Sequence, residues 1–598
     1  MPRDSLSATQ QFAPVEIEVE ERPGGVRLLR SQHKWAGTSQ TIIDRLVYWA
    51  SLDPGAVLVA ERDGSDWRHL TYGEAWSIAG AVASELRQCG CSGDHPLLIL
   101  AGNGIAHAIY MLAAFRAGVP VAPISTAYAA YGTFDRLRLV VEISRAKAAF
   151  VGAEISADAR DAIAGMGLQL LGLPPQAAKG DEGPAGHETI GPDTIAKLMF
   201  TSGSTGTPKA VIVTHGMMAA NQEQLAAVWP TPVHARPRLV DWLPWNHTFG
   251  GNFVFNMALW NGGALYIDDG RPAPGLVERT LAALQDVRPT RYFSVPAGYE
   301  ILVPALEAAP DRAKLCFENL EFAFCAAAAL SQSTRDRLAA LLRTATGREI
   351  PILGGWGSTE TAPCSTAVHF ENELAGNIGL PLPGVSIKMV PTGGRTELRI
   401  KGPNVFPGYW HAPDATKKAF DDDGYYCIGD AGRFVDPDRP ERGLAFDGRV
   451  AENFKLQTGT WVTVGSLRMA LVEAARPWIQ DAVITGHGRS EIGALLFVNE
   501  THCREALDLG PEDLLSECLE LREIVREKID HHNKTAGGSS MRIERFRIED
   551  MAPSPDRGEM TDKGYINQSA VLSARCDSVE DLYARGSCRT SSPASADR

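Results

Sequence analysis

Thr201-Ser202-Gly203-Ser204-Thr205-Gly206-Thr207-Pro208-Lys209 decides the fold through what flanks it. Ile195-Ala-Lys-Leu-Met-Phe200 precedes it and Ala210-Val-Ile-Val-Thr-His215 follows, and both read as short, largely buried strands. A polar, glycine-rich loop between two such strands has no place in a core. Its backbone N–H groups, hydroxyls and single cation are left to surround an anion, and a polyphosphate suits them. A Walker P-loop is excluded, since it requires Gly-x-x-x-x-Gly-Lys-Ser/Thr opening a helix. Here Pro208 stands five after Gly203, Lys209 precedes Ala210, and a strand follows. A solvated Ser/Thr/Gly turn is the bland alternative, and it suits a loop of half this length better.

Outward from the loop the chain alternates helix and strand. Thr71-Tyr-Gly-Glu74 has the form of a capping box, and behind it Tyr72, Ala75, Trp76, Ala79, Ala83 and Leu86 recur at helical spacing until Gly90. Pro96-Leu-Leu-Ile-Leu100 reads as a buried strand, His107 to Arg116 as a helix, and Val119 to Ile124 as another strand. The alternation resumes with a helix over Met217 to Val228, apolar segments at Ala264 to Ile267 and Tyr292 to Val295, and a helix over Leu330 to Thr344. This predicts an α/β fold with helix-covered sheets. After Pro383 the texture becomes short strands and turns, a β-rich subdomain. Past Gly448-Arg449 come compact α+β residues, including strands at Asp481 to Thr485 and Ala494 to Val498 and a helix over Leu515 to His531.

At 598 residues the chain exceeds one compact core, and 44% hydrophobic with 22% charged residues is ordinary globular composition. A net charge of −14 argues against a general nucleic-acid or anionic-membrane binder. Ten scattered cysteines, with no Cys-x-x-Cys pair, argue against a zinc site or a disulfide framework. Residues 1 to 25 lack a basic start and an apolar core, and the apolar stretch from Gly104 to Ile124 is broken by His107, Arg116 and Pro120. A cytoplasmic protein without a membrane span is the expectation.

Further stretches carry polar groups in loops. Gly355-Trp356-Gly357-Ser358-Thr359-Glu360-Thr361 offers an indole face for a base, a hydroxyl for phosphate, and a carboxylate for the magnesium that a triphosphate brings; by itself it reads equally as a surface turn. Trp245-Asn246-His247-Thr248-Phe249-Gly250-Gly251 sets one histidine among aromatics and glycines, a pocket wall or a structural histidine. Asp430 closes a tight turn and suits a ribose diol or a loop cap. Arg449 and Lys455 are ambiguous singly.

In their order and spacing these sites resemble the adenylate-forming superfamily of acyl-CoA synthetases, nonribosomal adenylation domains and beetle luciferases, from about residue 40 to 568. Val240 to Gly251, Leu265 to Gly270, Phe446 to Ala451, Thr458 to Val462 and Thr561 to Gln568 look like the feruloyl-CoA synthetase branch, which activates hydroxycinnamic acids. The resemblance implies a large N-terminal adenylation domain at 36–448 behind an extension at 1–35, a small mobile C-terminal domain at 449–568, and a frayed tail at 569–598. It also implies two half-reactions: an acid and MgATP give acyl-AMP and pyrophosphate, then coenzyme A displaces AMP. Thr201, Ser202, Gly203, Ser204, Thr205, Gly206 and Lys209 would hold the β- and γ-phosphates. Trp356, Gly357, Ser358 and Thr359 would line the nucleotide, with Thr359 on the α-phosphate. Glu360 would hold magnesium, and Asp430 and Arg449 the ribose. His247, Ala327, Gly354 and Gly355 would form the acyl site. Lys563, the sole lysine beyond Lys534, would bridge carboxylate and phosphate, and Lys455 would serve the coenzyme A step.

Three departures from the family pattern stand out. Glu559 follows Gly558 where the family's lysine usually appears, Ala451 occupies the usual hinge position, and Ala327 stands near where relatives carry glycine. The leading expectation is a hydroxycinnamate–CoA ligase. The alternatives are a ligase for another aryl or fatty acid and a catalytically weakened nucleotide-binding homologue. A carrier-linked adenylation domain fits less well, because no carrier module is evident. The oligomeric state is not legible.

Overall fold

A computed structural model describes residues 12–38, 40–129, 134–176, 189–202, 208–229, 236–273, 275–328, 330–392, 394–536, 538–554, 557, 559–560 and 566–584. The chain divides into two compact units: Met1–Val390 with Leu398–Ile428 and Phe434–Ala445, and Pro391–Glu397 with Gly429–Arg433 and Phe446–Arg598.

The first unit contains the α/β sheets. One sheet runs in the order Pro208–Thr214, Ile195–Ser202, Val121–Pro123, Leu97–Leu100, Ala148–Val151 and Gln169–Leu171. Its strands are parallel except for the first pair, an antiparallel hairpin in which Pro208 faces Ser202 and Lys209 faces Thr201. A second sheet has a parallel core of Val57–Asp63, Ala264–Ile267, Arg238–Asp241, Arg291–Ser294, Phe322–Cys325 and Ile352–Gly357. These strands read as continuous apolar runs because helices cover them.

The capping box at Thr71 forms, with the Glu74 carboxylate accepting from the Thr71 N–H at 2.9 Å, and starts the helix Tyr72–Gln88. The helix Ile105–Ala117 buries nearly every side chain and stops where Gly118 takes φ +68°. No helix among the described residues is long and apolar enough to cross a membrane.

The N-terminal extension expected at 1–35 is in part integral to this unit. Ile17–Arg22 and Val26–Ser31 form a hairpin whose second strand pairs with Ser386–Met389 in Ser386–Thr392. Glu18 and Glu20 alternate with the half-buried Ile17 and Val19 along the first strand, while Leu28 and Leu29 of the second are both buried, one on each face of the pair.

In the second unit Ile479–Thr485, Gly493–Val498 and Arg545–Ile548 form a three-stranded sheet. Side chains alternate across it. Ala482, Ile484, Ala494 and Leu496 face the cluster containing Leu467, Leu471, Val525 and Ile529. Val483, Leu495 and Phe497 face Ile566, Val571 and Leu582. Over 569–583 the second set corrects the expected frayed tail, since Gln568–Ala574 and Cys576–Tyr583 are helices that cover the sheet's other face; residues 585–598 of that expectation lie outside the described residues. A sheet apolar on both sides needs cover on both, and the few large side chains of 568–583 recur at helical spacing to provide it. Arg575 adds a buried anchor, donating from Nε and Nη2 to Glu559 at 2.8 and 2.9 Å and from Nη1 to Glu549 at 2.9 Å.

Candidate active site

The loop itself, 203–207 with Gly203, Ser204, Thr205 and Gly206, lies outside the described residues, as does Lys563. Its two strands are set in register, and that fixes Lys209 at the hairpin's base. A second segment runs beside the hairpin. Val211 forms a bridge with Tyr409, the Trp410 N–H donates to the Ala210 carbonyl at 2.8 Å, and the Ile212 N–H donates to the Gly408 carbonyl at 3.2 Å. Tyr409 is thereby held next to Lys209, whose ammonium lies 5.2 Å from the centroid of its ring.

The phenol of Tyr409 donates to Glu360 Oε1 at 3.1 Å, and the Phe406 N–H donates to the Glu360 carbonyl at 2.8 Å. Burial, with the Glu360 carboxylate adding to it, pushes the Tyr409 hydroxyl well above its ordinary value, so it remains a proton donor. Tyr426 is raised in the same way. Glu360 is only 8% exposed, and the described residues supply no donor to its second oxygen. That oxygen suits a cation. Among the described residues no group of three or more His, Cys, Asp or Glu side chains could hold a metal on its own.

Glu360 follows a strand end that only glycine permits. A Cβ on Gly357, at φ +157°, would lie 1.8 Å from the Pro363 carbonyl oxygen. The turn closes as the Ser358 N–H donates to Thr361 Oγ1 at 2.8 Å, and Asn404 Nδ2 ties the Thr361 carbonyl at 2.9 Å. Thr359 heads the short helix Thr359–Thr361 and is half-buried, whereas the Trp356 indole is 7% exposed. Cys325 pairs with Gly354 across adjacent parallel strands, placing Gly354 and Gly355 beside the chain leading to Ala327. Ala327 is exposed and has φ +76°, a left-handed conformation rare for alanine. A glycine would meet this conformation without strain.

His247 is half-buried, its N–H on the Pro244 carbonyl at 3.0 Å. The next turn, Phe249–Val254, is π-helical and packs against the preceding loop: a Cβ on Gly250 would fall 2.3 Å from the Leu243 oxygen, and one on Gly251 2.2 Å from the Trp245 oxygen. Phe249 and Phe253 meet Phe324 at ring separations of 5.8 and 5.2 Å, an aromatic floor beside this turn.

Asp430 and Arg449 belong to the second unit, with Arg449 Nε 3.4 Å from Asp430 Oδ1. Asp447 beside them pairs with Arg395 Nη1 at 3.1 Å. Gly448, at φ +82°, lets the backbone approach Gly465, whose Cβ would lie 3.1 Å from the Gly448 Cα. Ala451 lies exposed in the short helix Val450–Glu452, and the Lys455 ammonium lies 5.0 Å from the ring centroid of Trp461. Burial raises the Glu452 carboxyl, opposed by Arg449 and Arg468.

Within the first unit the structure thus joins Lys209 to Glu360, and within the second Asp430 to Arg449. The residue that sequence reasoning missed is Tyr409. Its Gly-Tyr-Trp context offered no signal, because its partners lie 200 and 49 residues away.

Residues 48–410 match the AMP-binding enzyme family, and residues 455–587 match the AMP-binding enzyme C-terminal domain. The chain belongs to the AMP-binding enzymes. Among its relatives are the probable CoA ligase CCL8 of Humulus lupulus, 27% identical over 55% of this chain and 54% of that protein, and the feruloyl-CoA synthase of Amycolatopsis sp, 27% identical over 60% and 70%. The chain thus spans about half the length of the first. Its fold is that of ATP-bound MatB from Rhodopseudomonas palustris, with a TM-score of 0.68 and 22% identity over 92% of this chain and all of that one.

Proposed function

We propose that this chain is an ATP-dependent carboxylate–CoA ligase acting on a hydroxycinnamic acid such as ferulate. The observation that carries the reading is the Lys209–Tyr409–Glu360 arrangement at the base of the glycine-rich hairpin. It sets a cation and a buried carboxylate at one anion-binding loop, the pair that a magnesium–polyphosphate complex requires.

In the first half-reaction a substrate carboxylate oxygen attacks the α-phosphorus of ATP. The P–O bond to the β-phosphate breaks, and pyrophosphate leaves with the electron pair. Two anions must meet, so the protein's task is positioning and charge neutralisation. Lys209 and the loop 201–209 take the leaving pyrophosphate, Thr359 donates to the α-phosphate, and Asp430 and Arg449 bind the ribose. Magnesium, held through Glu360, would neutralise phosphate charge. Lys563 bridges the carboxylate and α-phosphate, while His247 orients the acid from the Gly250–Gly251 side. In the second half-reaction the coenzyme A thiolate attacks the acyl carbon, the C–O bond to AMP breaks, and Lys455 serves the incoming thiol.

The feruloyl-CoA synthase relative and the aromatic floor of Phe249, Phe253 and Phe324 support an aromatic acid. A second reading, a nucleotide-binding homologue of weakened activity, is favoured by the strained Ala327 and by Ala451 at the hinge position. Pyrophosphate release on a panel of acids, with and without coenzyme A, tests all of this. Release that depends on hydroxycinnamates supports the proposal, preference for alkyl acids moves the substrate, and ATP binding without turnover overturns both ligase readings.

A further inference from the structure

Lys197 lies on the strand Ile195–Ser202, four residues before the loop begins it descends into, and it is fully buried. Its ammonium donates to the Gly251 carbonyl at 2.8 Å, and it faces the Phe115 ring at 5.7 Å. No carboxylate pairs with it among the described residues. Its titratable neighbours are His107 on the helix Ile105–Ala117 and His215 on the helix His215–Val228, each with unpaired ring nitrogen and each held neutral by burial, at about 4 and about 3. A buried, unpaired ammonium is a heavy cost to stability, and an apolar side chain of the same length would avoid it.

The carbonyl it holds belongs to the turn that carries His247. The Gly251 N–H donates to the His247 carbonyl at 2.8 Å, so Lys197 reaches His247 through one residue, Gly251, and the two peptide groups that flank it. Two residues on, Met199 Sδ accepts from Asn252 Nδ2 at 3.2 Å, and that amide also donates to Thr248 Oγ1 at 3.1 Å. One strand, and one face of it, therefore grips the π-helical turn Phe249–Val254 and then runs into the phosphate loop. A π-turn is a rare arrangement, and the lysine adds a side-chain donor to one of its carbonyls.

We propose that Lys197 is a positioning residue that couples the phosphate-loop strand to the glycine turn of His247 and so sets the acyl side of the site. This rests on the adenylation reading above. Burial lowers the ammonium to about 7, so the grip is that of an ion below this pH and weakens as pH rises through it.

The test is Lys197→Met, with ferulate as the acid. The proposal expects the KM for ferulate in pyrophosphate release to rise roughly tenfold, with ATP affinity within about twofold and the melting temperature unchanged or higher. Unaltered ferulate kinetics, or a parallel loss of ATP affinity and melting temperature, overturns it. Hydrogen exchange of the ligand-free, unsubstituted protein decides the matter without any acid or any variant. Corrected for intrinsic rates, amides of residues 247–256 are expected to exchange faster relative to those of residues 97–100 at pH 8 than at pH 6, the core amides reporting the global stability change. An unchanged ratio between the two segments at both pH values overturns the proposal. If ferulate supports no release at all, the proposed acid fails and the exchange result stands alone for Lys197.

Discussion

Replacing Tyr409 by phenylalanine removes one hydroxyl and leaves its ring over Lys209. The lost contact is a 3.1 Å hydrogen bond to a carboxylate on a residue 8% exposed. Hydrogen bonds to charged groups contribute about 1.5–3 kcal/mol, so the carboxylate's hold on its cation is expected to weaken by roughly 10- to 150-fold. The cation–π contact, worth about 0.5–1 kcal/mol at such a site, survives in Tyr409→Phe and is lost in Tyr409→Leu. The assay is acid-dependent pyrophosphate release titrated with Mg2+, alongside calorimetric binding of ATP in the absence of divalent ions. The apparent Mg2+ requirement should rise in Tyr409→Phe while metal-free ATP binding stays as it was. In a Glu360→Gln background the same substitution should add almost nothing, because the two residues act as one unit. A Tyr409→Phe enzyme with an unshifted Mg2+ titration would refute the reasoning, since Glu360 would then need no orientation from the phenol.

Ala327→Gly removes a left-handed alanine at φ +76°, and the relief of about 1–2 kcal/mol less the entropy of an added glycine, about 0.5–1 kcal/mol, leaves a small gain in urea midpoint and an altered acid preference. Arg575→Met leaves Glu559 buried without its partner, so the second unit should lose about 3–5 kcal/mol, seen as early exposure of 545–583 to protease. Lys197→Met has a pH signature. The folded pKa of about 7 lies below the ordinary 10.5, so the penalty for protonation is full below pH 7 and fades as pH climbs towards 10.5. The variant should therefore be the more stable protein at pH 6, by at most about 5 kcal/mol, with the gap narrowing by pH 9 in paired urea titrations. Lys563→Ala should abolish acyl-AMP formation and spare ATP binding; unchanged acyl-AMP formation would show that another group bridges the carboxylate and phosphate.

By itself the sequence determined what local chemistry can dictate. The capping box at Thr71, the glycine stop at Gly90 and the apolar strands around Leu97–Leu100 and Ile195–Ser202 fixed the α/β alternation, because propensity and periodicity act within a few residues. The polar loop of 201–209 gave the expectation of an anion site for the same reason. The segment 569–583 was misjudged as frayed because its few large apolar side chains look sparse in composition; only the second apolar face of the sheet at Gly493–Val498 gives them something to cover. Tertiary structure alone decided the partners of that loop. Tyr409 reaches Lys209 and Glu360, and Lys197 reaches Gly251, across separations in which periodicity carries no information. A hydrogen bond depends on distance in space, and that is set only when the sheets and helices have packed.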